Sequence, residues 1–294
     1  MKSGFVSIIG RPNVGKSTLL NSILQDHIAI TSPVSQTTRN IIQGVYNEDD
    51  TQIVFIDTPG IHKPINKLGK VLNKEAVALT HDIDAILFVV DAASGIGTGD
   101  KFIIDTFKNN TTPVILILNK IDCMSKEAIL KAILDYKDLY SFSEIVPISA
   151  LKDDNVDHLI EVIKKYLTDN VKYFDTETKT SLSKYFMISE FVREKLMNRL
   201  EEEIPHSITC VTTHYEDDGK MIDVGVDIIV DRDSLKKIVI GKDGALLKAV
   251  GTEARADIEK LLGKKVFLEL YVKTIDNWRD KDKYLHELGF MENE

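Results

Sequence analysis

The octapeptide GRPNVGKS at positions 10–17 directly follows the apolar run FVSII at positions 5–9. The run predicts a short buried strand, and residues 16–24 predict a helix. In the pattern G-x-x-x-x-G-K-S, Gly10 and Gly15 permit tight turns, so that consecutive backbone N–H groups point inward and the helix adds its positive dipole end. A strand, a glycine-rich turn and a helix in this order predict a loop that cradles phosphate groups.

Two side chains of this loop carry the expected chemistry. Lys16 is predicted to reach the β- and γ-phosphates of a nucleotide, and the Ser17 hydroxyl is predicted to bind Mg²⁺. The alternative interpretation is an accidental glycine-rich turn. That alternative leaves the strand before the loop and the helix after it unexplained.

A second polar motif, DTPG at positions 57–60, ends the apolar run QIVFI at positions 52–56. A carboxylate at the carboxyl end of a central strand faces the ligand crevice of an α/β sheet. Asp57 is therefore predicted to hold Mg²⁺ through a water molecule, and the Gly60 N–H is predicted to sense the γ-phosphate. Alone, the motif also fits an ordinary turn. Its position after a phosphate loop favours the nucleotide interpretation.

The motif NKID at positions 119–122 follows a third apolar run and predicts guanine recognition. The Asp122 carboxylate can accept hydrogen bonds from guanine N1–H and the exocyclic amine, which adenine does not offer. The Lys120 stem is expected to lie along the base. After the run at 145–148, the backbone of Ser-Ala-Leu at 149–151 is expected to donate to guanine O6. By itself, NKID also fits a solvated turn after a strand.

The polar stretch at positions 32–39 lies between the first helix and a strand predicted over 41–46. A threonine in such a segment completes the Mg²⁺ shell only when a γ-phosphate is present. Thr37 and Thr38 compete for this role, since adjacent side chains point in different directions and only one can bind. Thr38 is the preferred candidate.

Composition limits the class of protein. A chain of 294 residues with 43% apolar content suits two domains with real cores. No apolar run is long enough to span a bilayer, and the first residues lead at once into a strand, which predicts no signal peptide. Cys123 and Cys210 fit neither a disulfide framework nor a metal cluster and are typical of a reducing cytosol. The net charge of −9 means that any RNA contact must be local.

From residue 5 to residue 167, apolar strands alternate with amphipathic helical stretches. This alternation predicts an α/β domain with a mostly parallel sheet flanked by helices. The remaining elements are strands predicted over 85–91, 113–119 and 144–149, and helices over 66–80, 98–109, 125–140 and 156–167. The polar stretch at 169–183 lacks periodicity and predicts an interdomain linker, which leaves a GTPase domain over 1–168 and a second domain over 184–294.

The second domain has a different order of elements. They are a helix predicted over 185–203, strands over 208–216 and 221–231, helices over 233–240 and 245–262, and a strand over 265–273. GKDG at 241–244 joins the last two helices. A helix, two strands, two helices and a strand, with a G-x-x-G loop, is the arrangement of an α+β KH (type II) RNA-binding domain, whose glycines let backbone phosphates approach closely.

The charge around this loop supports the same interpretation. Between positions 234 and 265 the chain has eight basic and four acidic residues, a local excess of four in an acidic protein. The alternatives are a glycine-capped turn between helices and a simply solvated helix face. The predicted RNA-binding residues are Lys237, Ile240, Gly241, Lys242, Gly244, Lys248 and Arg255.

Together with these motifs, four further segments closely resemble the Era family, bacterial small GTPases with a C-terminal KH domain. They are QTTR at 36–39, ISEFVREKL at 188–196, IVIGK at 238–242 and LELYVK at 268–273. The GTPase motifs alone indicate only a superfamily, whereas their combination with the KH segment indicates Era. The resemblance implies GTP hydrolysis with Mg²⁺, binding of the 3′ end of 16S rRNA and a role in maturing the 30S subunit. It also implies a cytoplasmic monomer with peripheral association at the inner membrane.

Three residues qualify the expected mechanism. Many small GTPases place a glutamine immediately after D-x-x-G to orient the attacking water, but this chain has Ile61, so slow intrinsic hydrolysis is predicted. By similarity to related GTPases, Asn13 is a candidate to hold K⁺; alternatively, it only shapes the loop. Asp243 brings a negative charge into GKDG, and we expect it to point outward or to cap the following helix.

The predicted nucleotide-binding residues are Gly10, Arg11, Pro12, Asn13, Val14, Gly15, Lys16, Ser17, Thr18, Asp57, Thr58, Pro59, Gly60, Ile61, Asn119, Lys120, Asp122, Ser149, Ala150 and Leu151. Lys16, Thr38 and Gly60 are predicted to act in catalysis, and Ser17, Thr38 and Asp57 to bind the metal.

Three other functions compete with this interpretation. A P-loop kinase or ATPase leaves NKID unexplained. A non-hydrolysing RNA scaffold stays open because of Ile61. The KH-like segment argues against a GTPase that serves tRNA modification or the large subunit.

Overall fold

The computed structural model describes residues 1–34, 37–61, 64, 66–80, 82–108 and 110–291. Predicted features that reach beyond these residues are the polar stretch at 32–39 with its QTTR motif (Ser35 and Gln36), the helix end at Asn109, and residues 292–294 of the second domain. The chain divides into two compact units. The first comprises Met1–Thr31, Thr38–Ile65 and Gly69–Ser181, and the second comprises Ser32–Thr37, Asn66–Leu68 and Leu182–Glu294.

The sheet of the first unit has the strand order β2-β3-β1-β4-β5-β6 among the described residues. The strands are β1 (Lys2–Ile9), β2 (Ile42–Glu48), β3 (Thr51–Asp57), β4 (Ala85–Asp91), β5 (Val114–Asn119) and β6 (Glu144–Pro147). β2 and β3 are antiparallel, because only Asp49 and Asp50 connect them. The other neighbours are parallel, and a parallel pair needs a long crossover connection. The prediction of a mostly parallel α/β sheet is confirmed.

Helices supply those crossovers. The connecting helices are α1 (Lys16–Leu24), α2 (Lys67–Ala78), α3 (Thr98–Phe107) and α4 (Lys126–Lys137), and α5 (Val156–Ile163) follows β6, the last strand of this sheet. Phe88 of β4 packs with Phe107 of α3 at 5.5 Å between ring centroids, and Tyr136 of α4 joins the same apolar cluster. On α5, the buried residues recur at helical spacing, which gives one apolar stripe toward the core. That stripe consists of Val156, Leu159, Ile160 and Ile163.

Residues 168–181, here named the strap, are bound to the first unit along most of their length. Ser3 and Asp169 exchange backbone hydrogen bonds of 2.9 and 3.1 Å. The side chain of Gln52 accepts from the N–H groups of Tyr173 and Phe174 at 2.8 and 2.9 Å. These hydrogen bonds attach the first half of the strap to β1 and β3.

The last part of the strap lies on the open edge of β2. The Val45 N–H donates to the Lys179 carbonyl oxygen at 2.8 Å, and Thr180 Oγ1 donates to the Gln43 carbonyl oxygen at 2.6 Å. The first unit consequently ends at Ser181. The sequence instead predicted a linker over 169–183, because a strap that bonds to another element shows no periodicity of its own.

The second unit has a sheet in the order β7-β8-β9 and helices that follow the predicted KH order. Its elements are α6 (Lys184–Met197), β7 (Ile208–Asp217), β8 (Met221–Val230), α7 (Asp233–Ile240), α8 (Ala245–Leu262), β9 (Lys265–Thr274) and α9 (Asp282–Glu287). β8 is antiparallel to β7 and parallel to β9. On the helix side of β8, alternate residues from Ile222 to Val230 are at most 1% exposed.

Helix α6 is shorter than predicted. It ends at Met197, whereas the apolar pattern suggested helix to residue 203. Three glutamates at 201–203 would oppose the helix dipole at its C-terminal end, and Pro205 cannot continue an α-helix. The chain turns there, with Glu202 at a φ of 55°. Across the described residues, every helix is too short or too polar to cross a bilayer.

Candidate nucleotide site and nucleic-acid groove

The glycine-rich loop between β1 and α1 needs its glycines for steric reasons. A Cβ on Gly10 would lie 2.3 Å from the Val89 carbonyl oxygen, and a Cβ on Gly15 would lie 2.3 Å from Asn119 Nδ2. Gly15 also has a φ of +97°, which side chains rarely adopt. The ends of β4 and β5 thus close the loop from behind.

Lys16 lies folded over this loop. It is 6% exposed, and its Nζ donates to the carbonyl oxygens of Gly10 and Arg11 at 3.3 and 3.1 Å. Burial lowers the pKa of the Lys16 ammonium, and the Asp57 carboxylate opposes that effect. A polyphosphate at the loop would supply the anion that this buried cation lacks.

Three oxygen-bearing side chains converge beside Lys16. Ser17 Oγ donates to Asp57 Oδ2 at 2.7 Å and lies 2.9 Å from Thr38 Oγ1. Asp57 is fully buried, and burial raises its pKa to about 6 despite the opposing charge of Lys16. Its Oδ1 atom has no hydrogen-bond partner within the described residues. Buried oxygen ligands with one unsatisfied carboxylate oxygen fit the preference of Mg²⁺.

The two competing threonines are used differently. Thr38 reaches Ser17, while Thr37 Oγ1 donates to the Val34 carbonyl oxygen at 2.7 Å. The geometry therefore brings Thr38 to the predicted metal ligands and commits Thr37 elsewhere.

The DTPG motif packs directly on the loop. A Cβ on Gly60 would lie 2.7 Å from the Pro12 backbone nitrogen, so only glycine fits at this approach. Thr58 Oγ1 donates to the Ile8 carbonyl oxygen at 2.9 Å, which fixes the motif to β1. Pro59 lies buried between these two residues.

Ile61 turns away from the predicted phosphate position. Its side chain is 2% exposed and belongs to the apolar cluster that contains Phe88 and Phe107. Only its backbone stays at the loop, where the N–H donates to the Gly10 carbonyl oxygen at 3.2 Å. The side chain that would orient water in other small GTPases is here part of the core.

The Arg11 side chain, which was predicted to bind the nucleotide, bonds to another part of the protein. Its Nε donates to Asp100 Oδ1 at 2.8 Å, and Asp100 is fully buried at the start of α3. Asp100 Oδ2 accepts from the Gly97 N–H at 2.8 Å. The Arg11 side chain therefore braces the loop against α3. Asp100 escaped the sequence analysis because it lies 89 residues away; its place in the first turn of a predicted helix was the only local signal.

Asn119 joins the phosphate end of the site to the base end. Its Nδ2 donates to the Val14 carbonyl oxygen at 2.8 Å, and its Oδ1 accepts from the Ala150 N–H at 3.0 Å. The Ala150 N–H, expected at guanine O6, thus bonds to Asn119 here. Lys120 adds a second brace, since its Nζ donates to the Asn13 carbonyl oxygen at 2.8 Å and pairs with Asp91 at 2.7 Å.

Asp122 is the group that remains available at the base end. It is exposed, and its Oδ1 accepts from Ser149 Oγ at 2.6 Å. That hydrogen bond holds the pKa of Asp122 below its usual value, so the group stays a carboxylate. Leu151, which is 74% exposed, lies two residues beyond Ser149. Val14 and Thr18 complete the predicted contacts, the first buried in the loop and the second on the first turn of α1.

The second unit presents the GKDG loop between α7 and α8. Gly241 has a φ of 78°, and a Cβ there would lie 2.7 Å from Leu246 Cβ. Gly244 has a φ of 75° and open space around it. Asp243 is exposed and makes no capping bond, because Gly244 is the N-cap of α8. Of the two expectations for Asp243, the outward orientation is therefore the one observed.

A groove of about 350 Å³ lies between α8 and β9. It is lined by Leu247, Lys248, Gly251, Thr252, Arg255, Leu268 and Leu270. Lys248 and Arg255 were predicted, whereas the leucines were not. Their alternation in β9 was a signal for one apolar face, but the sequence did not show that α8 leaves this face open. Lys237, Ile240 and Lys242, also predicted, lie exposed on α7 and the GKDG loop.

Two known protein families match this chain, one in each of its two units. Residues 5–120 match the family described as 50S ribosome-binding GTPase, and residues 203–279 match the KH domain family.

Two solved structures are similar over 99% of this chain and 99% of their own length, each with 39% identity and a TM-score of 0.96. One is Era in complex with MgGDPNP and nucleotides 1506–1542 of 16S ribosomal RNA. The other is a tyrosine-to-alanine variant of Aquifex aeolicus Era bound to GDP·AlF4⁻. At this identity and coverage, the chain belongs to the Era family of GTPases.

Proposed function

We propose that this protein is a GTP-hydrolysing switch that binds the 3′ end of 16S rRNA and assists maturation of the 30S subunit. The observation that carries the proposal is the single nucleotide site formed by Lys16, Ser17 and Asp57 at one end and Asp122 at the other. Asn119 ties the two ends together through Val14 and Ala150. A nucleotide that spans this site must carry both a polyphosphate and a base with two adjacent donors.

Guanine specificity follows from the charge state of Asp122. A carboxylate accepts hydrogen bonds and donates none, so it matches the N1–H and exocyclic amine of guanine. Adenine presents an acceptor at N1 and would leave the carboxylate unpaired. A P-loop kinase or ATPase is therefore disfavoured.

Mg²⁺, when bound, would neutralise charge on the phosphates, and Ser17, Thr38 and Asp57 would hold it. Lys16 would bind the phosphate oxygens, and the Gly60 N–H would lie near the γ-phosphate. Because Ile61 is buried in the core, this chain positions the attacking water without a side chain at that point. The intrinsic hydrolysis rate is accordingly expected to be low.

K⁺ is proposed as an additional cofactor, with Asn13 as its candidate ligand. Asn13 has a φ of 63° and lies exposed on the loop, where its carbonyl oxygen accepts from Lys120. Turnover should be faster in potassium than in sodium buffer. Equal rates would restrict Asn13 to shaping the loop.

The groove between α8 and β9 is proposed as the RNA site. Leu268 and Leu270 offer an apolar floor against which bases can stack, while Lys248 and Arg255 lie beside it for phosphates. The open GKDG loop allows a backbone phosphate to approach. The rRNA in the related Era complex supports the 3′ end of 16S rRNA as the ligand, and hence the small subunit as the target.

Nucleotide and RNA affinities are proposed to be coupled through the peptide between Thr37 and Thr38. Within the first unit, Thr38 contacts Ser17. Within the second unit, the buried Arg193 guanidinium donates to the Thr37 carbonyl oxygen. A γ-phosphate that reorders Thr38 would therefore displace the acceptor of Arg193. Equal RNA affinities with GDP and with a GTP analogue would remove this coupling.

Two measurements test the main proposal. Purified protein should bind GDP but be unaffected by excess ADP, and single-turnover assays should show GTP cleavage that requires Mg²⁺. Uptake of both nucleotides alike would refute guanine recognition. Binding without cleavage, with 16S 3′-terminal RNA present, would instead identify a non-hydrolysing scaffold.

Location and assembly state are proposals from the family resemblance. We expect a cytoplasmic monomer that associates with 30S particles and peripherally with the inner membrane. Within the described residues, neither Cys123 nor Cys210 forms a disulfide bond. Fractionation of cells with and without high-salt washing separates membrane association from binding to ribosomal particles.

A further inference from the structure

The sheet of the second unit has one face covered by helices and one outer face. On β9, Leu268 and Leu270 line the RNA groove, so the alternate residues Phe267, Glu269 and Tyr271 point to the outer face. Phe267 is 49% and Tyr271 50% exposed. Two large aromatic rings are thus presented to solvent on an edge strand, separated by a carboxylate.

The other two strands of this sheet, β8 and β7, add further carboxylates to the outer face. In the strand register, Asp223 of β8 lies opposite Phe267, and Asp227 lies opposite Tyr271. Glu216 of β7 lies opposite Asp223 in the register of β7 and β8. We define the outer face by these residues: Glu216, Asp223, Asp227, Phe267, Glu269 and Tyr271.

Two lysines of β9 on this face already have carboxylate partners, and the exposed His214 of β7 lies on the same face, in register with Gly225. Lys273 pairs with Asp227 at 2.5 Å, and Lys265 pairs with Glu259 of α8 at 2.9 Å. Within the described part of the chain, no ion pair reaches Glu216, Asp223 or Glu269. Asp223 Oδ1 is buried and lacks a hydrogen-bond partner among the same residues. The face therefore carries uncompensated negative charge next to exposed aromatic rings.

This chemistry disfavours nucleic acid and favours a cationic partner. Phosphates would be repelled here, whereas guanidinium or ammonium groups can stack on the rings and pair with the carboxylates. Residues at alternate positions of a strand are about 6.6 Å apart on one face, so Phe267, Glu269 and Tyr271 form a row of about 13 Å. An extended peptide has the same repeat.

We propose that the outer face of the KH sheet docks an extended, Arg/Lys-rich protein segment with basic residues at alternate positions. Its side chains lie over Phe267 and Tyr271 and pair with Glu269 and Asp223. The site is on the opposite face of the sheet from the RNA groove, so both ligands can be held at once.

The test uses the full-length protein and a fluorescein-labelled peptide of alternating arginine and serine, followed by fluorescence anisotropy. The variant Phe267→Thr/Tyr271→Thr replaces the rings by threonine, a β-branched residue that favours strands, so the strand is expected to form while the rings are lost. We expect its affinity for the peptide to fall about tenfold or more. Glu269→Lys should lower it independently. A 16S 3′-terminal RNA oligonucleotide should bind both variants as it binds the wild type.

Two controls distinguish specific binding at the outer face from non-specific electrostatic attraction between a basic peptide and an acidic protein. Leu134→Thr removes an exposed apolar side chain of the first unit, 62% exposed, and should leave peptide binding unchanged. A peptide with the arginines grouped in one block should bind more weakly than the alternating one. Unchanged peptide affinity in the ring and Glu269 variants would overturn the proposal. Loss of RNA affinity without loss of peptide affinity would overturn it as well, in favour of a nucleic-acid contact.

Discussion

Replacing Asp122 by asparagine tests base recognition most directly. Its carboxylate is exposed and accepts side-chain hydrogen bonds from Ser149 Oγ at 2.6 Å and Cys123 Sγ at 3.6 Å, so we expect the substitution to leave the fold unchanged. An amide can accept the guanine N1–H but presents a donor toward the exocyclic amine. The charged acceptor is lost, and one of the two base contacts becomes repulsive.

The magnitude follows from those two contacts. Hydrogen bonds to a charged group contribute roughly 1.5–3 kcal/mol each, so the pair is worth roughly 3–6 kcal/mol. GDP affinity should therefore fall by roughly 10²- to 10⁴-fold in Asp122→Asn. Xanthosine diphosphate carries a carbonyl where guanine carries the amine, and the new amide can donate to it. The variant should bind xanthosine diphosphate more tightly than the wild type does.

The assay is displacement of a fluorescent guanine nucleotide by GDP, ADP and xanthosine diphosphate. Asp153→Asn is a matched control, because Asp153 is also an exposed carboxylate that accepts from a serine hydroxyl, that of Ser22. The control should bind GDP as the wild type does. If Asp122→Asn retained full GDP affinity, or lost it without any gain for the xanthine nucleotide, Asp122 would not be reading the base.

Three further outcomes are expected. Gly15→Ala should abolish nucleotide binding in calorimetry, since the new Cβ would meet Asn119 Nδ2 at 2.3 Å on a backbone with φ +97°; residual binding within threefold of wild type would contradict this. In metal-free protein, a pKa of Asp57 raised from 3.8 to about 6 means that the folded state takes up a proton before the unfolded chain does as the pH falls. From pH 8 to pH 4, the free energy of unfolding of the wild type should therefore rise by up to about 3 kcal/mol relative to that of Asp57→Asn. If denaturant titrations showed the same pH dependence of stability for both proteins, a raised pKa of Asp57 would be refuted. Arg193→Met leaves the buried Glu190 carboxylate unpaired and should cost about 3–5 kcal/mol in denaturant unfolding, while the double variant with Glu190→Gln should recover part of that loss.

The sequence predicted best what depends on local patterns. α1, α7 and α8 begin and end where the periodicity and glycines indicated, because their caps lie within a few residues. Contacts between segments that are far apart in the chain were not predicted. Arg11 was assigned to the nucleotide from its place in the loop, yet its partner Asp100 belongs to a helix much later in the chain.

The position of Leu268 and Leu270 in the groove could not be predicted either. Alternation in β9 indicated two faces, but the choice between a covered and an open face depends on where α8 packs. Ile61 was the converse case. An isoleucine after D-x-x-G signalled the missing glutamine, while its burial among the core rings required the packed helices to be known.

The strap has a practical consequence for anyone who wishes to study the GTPase unit alone. β2 is the outermost strand of its sheet, and residues 179–180 occupy its free hydrogen-bonding groups. Truncation at residue 168 would strip those bonds and leave a bare strand edge, a template for pairing between molecules. Such a fragment should self-associate, whereas one that ends at Ser181 should stay monodisperse.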